Sequence, residues 1–124
     1  MKKCPYIVAV DDDYDMLRIL KRTLELEGYG VATAADGNSA LALVDKQQPD
    51  LVILDIMMPQ LDGFEVLKLI RQRSSVPVIM LTSRCEDTVL RNALTLGADD
   101  YVKKPFSTRV LIARIRAKLR RLNS

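Results

Sequence analysis

The residues able to do chemistry stand at matching points along this chain. Asp11, Asp12 and Asp13 follow the apolar run Tyr6–Val10, Asp55 follows Leu51–Leu54, Thr82 follows Val78–Leu81, and Lys104 comes soon after Tyr101-Val102. Carboxylates gathered in one crevice repel one another, and at least one would then hold its proton above the usual carboxylate range. A divalent cation removes that penalty. Oxygen ligands without His or Cys favour a hard ion, and few carboxylates with vacant positions favour Mg2+ over Ca2+. A carboxylate, a hard cation, an ammonium and a hydroxyl make a site for a phosphoryl group: the carboxylate is the nucleophile, and the cations offset charge on the transferred oxygens. The sequence contains no His, so a His base and a His-based metal site are excluded. Any phosphohistidine must belong to a partner.

These residues converge only if the elements carry them to one edge. Five times a short β-rich run precedes an amphipathic segment of helical length. Tyr6–Val10 leads to a helix over Met16–Glu27 that stops at Gly28. Val31–Ala34 ends at Asp36-Gly37, and Ser39–Lys46 is helical before Pro49. Leu51–Leu54 is a buried strand, followed by a helix over Phe64–Arg73 after Asp62-Gly63. Val78–Leu81 leads to Asp87–Leu96, closed by Gly97, and Tyr101-Val102 leads to Thr108–Leu122. Such alternation predicts an α/β fold, a five-stranded parallel sheet with helices on both faces. Right-handed crossovers favour the flavodoxin-like order 2-1-3-4-5. Strands 1 and 3 are then neighbours at the switch point, where open sheets bind ligands beyond the carboxyl ends of their strands. Asp11, Asp12 and Asp55 should meet there. Residues 1–124 are expected to form one domain, with 119–124 a possible start of a linker.

Each residue has an ordinary alternative. Asp12, Asp13 or Asp15 could cap helix 1, and Asp13 and Asp15 suit that role best; Asp62 suits helix 3, and Thr82 alone could be any strand-end residue. Lys103 should be solvated, because alternation sends it away from Lys104. Asp55 resists such a reading, since an unpartnered charge after four apolar residues is costly.

Composition narrows the class. The chain has 124 residues, enough for a single core, and no apolar run long enough to cross a membrane. Met1-Lys2-Lys3-Cys4-Pro5 leads into a strand without a signal-peptide core, so a cytoplasmic location is expected. Cys4 and Cys85 should lie at opposite ends of the sheet as free thiols. The net charge of +3 conceals an asymmetry: residues 1–108 carry 13 Lys/Arg against 16 Asp/Glu, whereas residues 109–124 carry six Lys/Arg and no acid. A basic end of this kind is either a nucleic-acid footprint or the solvated face of a terminal helix, where cations also suit the helix dipole.

In combination, these motifs resemble the receiver domain of two-component response regulators: Asp11-Asp12, Asp55 with Met58-Pro59 and Asp62-Gly63 after it, Thr82, and Gly97-Ala98-Asp99-Asp100-Tyr101 running into Lys104-Pro105-Phe106. The resemblance spans residues 6–122. It implies a regulatory domain, not an enzyme beyond its own phosphorylation and dephosphorylation, with Asp55 as phospho-acceptor. It further implies Mg2+ bound by Asp11, Asp12, Asp55 and the Met57 backbone carbonyl, with Thr82 and Lys104 contacting the phosphoryl group. Tyr101 is the implied switch that turns inward as Thr82 moves, and Lys104–Pro105 the implied cis bond. The donor would be a phosphohistidine on a sensor histidine kinase or phosphotransfer protein.

Arg114-Ile115-Arg116-Ala117-Lys118-Leu119-Arg120-Arg121 resembles the last receiver helix of winged-helix transcription regulators, so DNA would be reached only through a domain absent from this chain. Members of that subgroup dimerise through helix 4, strand 5 and helix 5. One of their charged pairs falls here on Leu90 and Val110, whereas Asp100 and Arg114 match another pair that remains. An apolar contact in place of the missing ion pair, in a phosphorylation-promoted homodimer, is the expectation. Met57 and Arg84 flank the path of an attacking water in this family and are expected to slow phosphate loss.

Three other readings use the same fold. A flavin carrier needs a Ser/Thr/Gly-rich phosphate loop after strand 1, where this chain has three Asp. An aspartyl phosphatase carries a second Asp two residues after its nucleophile, where this chain has Met57. A docking scaffold without phosphorylation would not need the intact set Asp11, Asp12, Asp55, Thr82 and Lys104.

Overall fold

Strand residues point alternately into two helical layers, and the sequence alternation dictates which layer each one joins. The computed structural model describes residues 4–56, 62–83 and 87–122, with backbone alone at 87–90 and 121–122. The order is β1 (Tyr6–Val10), α1 (Tyr14–Leu26), β2 (Gly30–Ala34), α2 (Gly37–Gln47), β3 (Leu51–Asp55), α3 (Gly63–Arg71), β4 (Val78–Thr82), α4 (Asp87–Thr95), β5 (Asp100–Lys103) and α5 (Thr108–Leu122). All paired strands are parallel, in the order β2-β1-β3-β4-β5. Ile7, Ala9, Leu51, Ile53, Ile79 and Leu81 pack with Leu17, Leu20 and Leu24 of α1 and with Leu111, Ile115 and Leu119 of α5. Val8, Val10, Val52, Leu54, Val78 and Met80 face the other way, toward α2, α3 and Ala93 of α4. The expected doubly wound fold is present.

Most boundaries differ from the sequence reading by one or two residues, and local chemistry explains several of the shifts. Helix α1 begins at Tyr14 rather than Met16 because the Asp13 carboxylate accepts from the Asp15 and Met16 N–H groups. Asp13 is therefore the cap, and Asp15 lies in the first turn. Asp62 caps α3 by accepting from the Phe64 N–H at 2.7 Å. Lys103 does not follow β5 but ends it, paired in register with Thr82, and it is exposed as alternation requires. Gly28 and Gly97 adopt φ of +92° and +107°, a conformation favourable to glycine, and they turn the chain after α1 and α4.

Arg71, at the end of α3, ties three segments together. Its guanidinium donates to the Gly97 carbonyl (2.9 Å) and the Val76 carbonyl (2.6 Å), and it pairs with Asp99 at 2.8 Å. The same Asp99 oxygen accepts from the Val78 N–H. This clasp fixes the turn before β5 against the start of β4. At the same amino-terminal end of the sheet Cys4 is a free thiol that donates to the Gly28 carbonyl; Cys85 lies outside the described residues. Among the described residues, no helix is long and apolar enough to cross a membrane.

Candidate functional site

The strand register assembles the site. Val10 stands beside Leu54, so Asp11 emerges next to Asp55, and Asp55 itself pairs with Leu81, one residue before Thr82. Backbone bonds carry the sheet one step past its formal ends: Asp11 N–H to the Ala34 carbonyl, Ile56 N–H to the Leu81 carbonyl, and Lys104 N–H to the Thr82 carbonyl. The polar residues that interrupt the apolar runs therefore meet at one carboxyl edge.

Asp11, Asp55 and Thr82 are buried, at 0%, 5% and 1% exposure. One carboxylate oxygen from each of Asp11, Asp12 and Asp55 falls within 4.8 Å of the others. The Lys104 ammonium reaches both buried acids, at 3.1 Å from Asp11 and 3.4 Å from Asp55. The peptide bond that follows, Lys104–Pro105, is cis, as the family resemblance implies. The other Asp11 oxygen accepts from the Asp13 N–H at 3.0 Å, which fixes the carboxylate's direction. Burial first, then a hydrogen bond and the charge of Asp11, push the Asp12 carboxyl above its usual range. The sequence argument anticipated this rise from repulsion alone, whereas desolvation leads it. Partial burial pulls the Lys104 ammonium down, but its bond to Asp11 and the charges of Asp55 and Asp11 outweigh this and raise it.

A crowd of oxygen donors with one member resisting ionisation fits a small hard cation, which would offset the charge that Lys104 leaves uncompensated. A phosphoryl oxygen could approach the same corner, between the Lys104 ammonium and the Thr82 hydroxyl. Met57, whose carbonyl was expected to add a ligand, and Arg84 lie outside the described residues.

Sequence reasoning placed Gly63 ahead of helix 3 but missed its contact with Asp55. A Cβ there would lie 2.7 Å from the Ile56 Cα and closer still to the Asp55 carbonyl oxygen, while the Gly63 N–H donates to Ile56 at 2.8 Å. The start of α3 thus presses directly on the backbone of Asp55. The Asp62-Gly63 pair reads as a helix start in sequence, and nothing local signals the long-range contact.

The expected switch and interface residues sit at the β5–α5 edge. Tyr101 is half-buried against the cluster beneath α2, α3 and α4. Asp100 and Arg114 pair within one chain, at 2.7 and 2.9 Å, with Lys118 at 3.9 Å. Val110 is 44% exposed. The Leu90 side chain lies outside the described residues.

A five-stranded doubly wound sheet with an acidic cluster and a lysine at its carboxyl edge defines a CheY-type signalling fold. The chain matches the response regulator receiver domain over residues 7–116, and it belongs to that family. It is similar to a two-component response regulator from Clostridium difficile, at 34% identity and TM-score 0.94, over 97% of this chain and 99% of that one. The BeF3-activated N-terminal receiver domain of Klebsiella pneumoniae RstA is 34% identical with TM-score 0.88, covering 93% and 98%. Chemotaxis protein CheY4 of Vibrio cholerae is 33% identical with TM-score 0.88, covering 92% and 98%.

Proposed function

We propose that residues 1–124 form a single receiver domain acting as a phosphorylation switch, in which Asp55 takes a phosphoryl group from the phosphohistidine of a sensor kinase or phosphotransfer protein. The observation that carries this reading is the Lys104 ammonium spanning Asp11 and Asp55 beside a second acid, Asp12, at the carboxyl edge. An Asp55 carboxylate oxygen forms the new P–O bond while the P–N bond to the donor imidazole breaks, and the imidazole keeps the electron pair. Lys104 offsets charge on the phosphoryl oxygens, and the Thr82 hydroxyl donates to one of them. Asp11, Asp12, Asp55 and the Met57 carbonyl would hold Mg2+, which supplies charge neutralisation for oxygens entering an acidic crevice.

Movement of Thr82 toward the phosphoryl group leaves space for Tyr101 to turn inward, changing the α4–β5–α5 face. The basic α5 and the similarity to an N-terminal receiver domain support a transcriptional output through a separate DNA-binding domain, in a phosphorylated homodimer joined across Leu90, Asp100, Val110 and Arg114. Intact mass after incubation with acetyl phosphate and Mg2+ tests the central claim. Uptake of one phosphoryl group is expected, and it disappears in Asp55→Asn and in EDTA. Uptake that survives either change overturns the assignment.

A further inference from the structure

Helix α5 carries cations along two edges, separated by the buried stripe Leu111, Ile115 and Leu119. On one edge Arg114 and Lys118 converge on Asp100. On the other, Arg109, Ala113, Arg116 and Arg120 recur at spacings of four, three and four, which places them in one line. All four are exposed, and this line faces the end of α1, where Glu27 pairs with Arg116 at 2.8 Å. Among the described residues no ion pair closes on Arg109 or Arg120.

The same line borders two cavities of about 480 Å³ each, which share Ala113 and Arg116 as walls. One extends past Tyr29 and Pro5 toward Arg120, and the other runs beside Ile112 toward Arg109. The small side chain of Ala113 keeps the middle low. Pro5 precedes β1, whereas Asp11 follows it, so the groove reaches the end of the sheet opposite the acidic cluster.

We propose that this groove docks an acidic amphipathic helix of a partner protein, whose carboxylates take Arg116 from Glu27 and add Arg109 and Arg120. Charge complementarity names the chemistry: Glu27 already occupies the central guanidinium as an internal carboxylate. Spacing names the shape, because four-three-four is the repeat along a helix–helix seam. The eleven helical rises from Arg109 to Arg120 span roughly 16 Å, about three helical turns. The apolar floor of Ile112, Ala113 and Leu119 accepts aliphatic side chains between the acids, which a nucleic-acid backbone does not offer. The site is independent of the phosphoryl-transfer reading.

The test is a titration of the whole chain, labelled with 15N, by a synthetic helical peptide carrying Glu at four-three-four spacing around Leu. A Gln-for-Glu peptide and a single-stranded oligothymidine serve as comparators. The Glu peptide should shift the amides of Tyr29, Ala113 and Arg116. Joint Arg109→Ala and Arg120→Ala replacement should weaken it about fivefold, and Glu27→Gln, which removes the internal competitor, should tighten it about threefold. These positions are exposed, and unchanged backbone spectra elsewhere verify folding. No shift in the groove, equal binding of the Gln peptide, weaker binding by Glu27→Gln, or tighter binding of oligothymidine at these residues each overturns the proposal.

Discussion

The Lys104 ammonium lies closer to Asp11, at 3.1 Å, than to Asp55, at 3.4 Å. Lysine therefore serves two buried acids at once, and it is the only cation paired with either among the described residues. Replacing it with Met leaves two carboxylates in the crevice without that charge, at a cost of about 1–3 kcal/mol. Added Mg2+ should compensate, since a ligand that binds only the folded state stabilises it. Lys104→Met is thus expected to melt earlier than wild type in EDTA and to gain more from Mg2+. An equal Mg2+ effect on the two melting temperatures would count against a shared cation site.

The same pairs set the pH behaviour. A lysine raised on folding contributes stability that is fully present below its ordinary value of 10.5 and fades only as pH rises through the higher folded value. Lys104 should therefore add no pH dependence near neutrality. Asp12 has the opposite sense: its folded carboxyl holds the proton more tightly than the unfolded one, so stability falls as pH rises from 3.8 to the raised folded value, and the loss is complete above it. In EDTA at neutral pH, Asp12→Asn should melt higher than wild type, with the advantage vanishing below 3.8. With Mg2+ in excess the order should reverse.

Gly63 couples the start of α3 to the backbone of Asp55. Gly63→Ala places a methyl group against the Asp55 carbonyl and Ile56, neither of which is a flexible side-chain end. Overpacking of this kind costs about 1–3 kcal/mol. Because the displaced backbone belongs to the proposed acceptor, phosphoryl uptake from acetyl phosphate should slow along with the loss in stability. Urea unfolding and the uptake rate measured on one preparation test the link; lost stability with an unchanged rate would break it.

The Arg71 clasp predicts a loss that Lys cannot restore. Arg71 binds Gly97, Val76 and Asp99 with different nitrogens of a rigid fork, and its side chain is 22% exposed. Arg71→Ala should cost about 2–4 kcal/mol, leaving the Gly97 and Val76 carbonyls and Asp99 without that donor. Arg71→Lys should recover less than half. Amide exchange should accelerate at Ala98 and Asp99, in the turn that the clasp holds.

Short apolar runs, each followed by an amphipathic segment of helical length, made the sheet legible in sequence. Once strands 1 and 3 were neighbours, Asp11 and Asp55 had to meet. Helix starts were less clear because Asp11, Asp12, Asp13 and Asp15 are chemically alike, and only hydrogen-bond geometry shows that Asp13 caps α1. The Arg71–Asp99 pair spans 28 residues and the Lys104–Asp11 pair 93, and no local pattern announces such contacts. Gly63 read only as the lead into helix 3, because a missing side chain leaves no trace of what approaches it.

The proposed homodimer can be tested at its apolar edge. Leu94 on α4 and Val110 on α5 are 47% and 44% exposed, and Leu94 lies one helical turn beyond Leu90. Asp100 is already paired with Arg114 inside the chain, so an intermolecular exchange of that pair would trade one salt bridge for another. Net stabilisation must then come largely from apolar contact, which a twofold axis repeats. Burying such a side chain contributes about 1.5–3 kcal/mol, compared with about 0–1 kcal/mol for an exposed ion pair. Beryllofluoride with Mg2+ should shift the protein toward a dimer by light scattering, with little change when salt is raised. Val110→Glu should weaken that dimer at least tenfold while phosphoryl uptake at Asp55 continues. A dimer that dissolves in salt, or one indifferent to Val110→Glu, would return the interface to charged pairs or to another face of the domain.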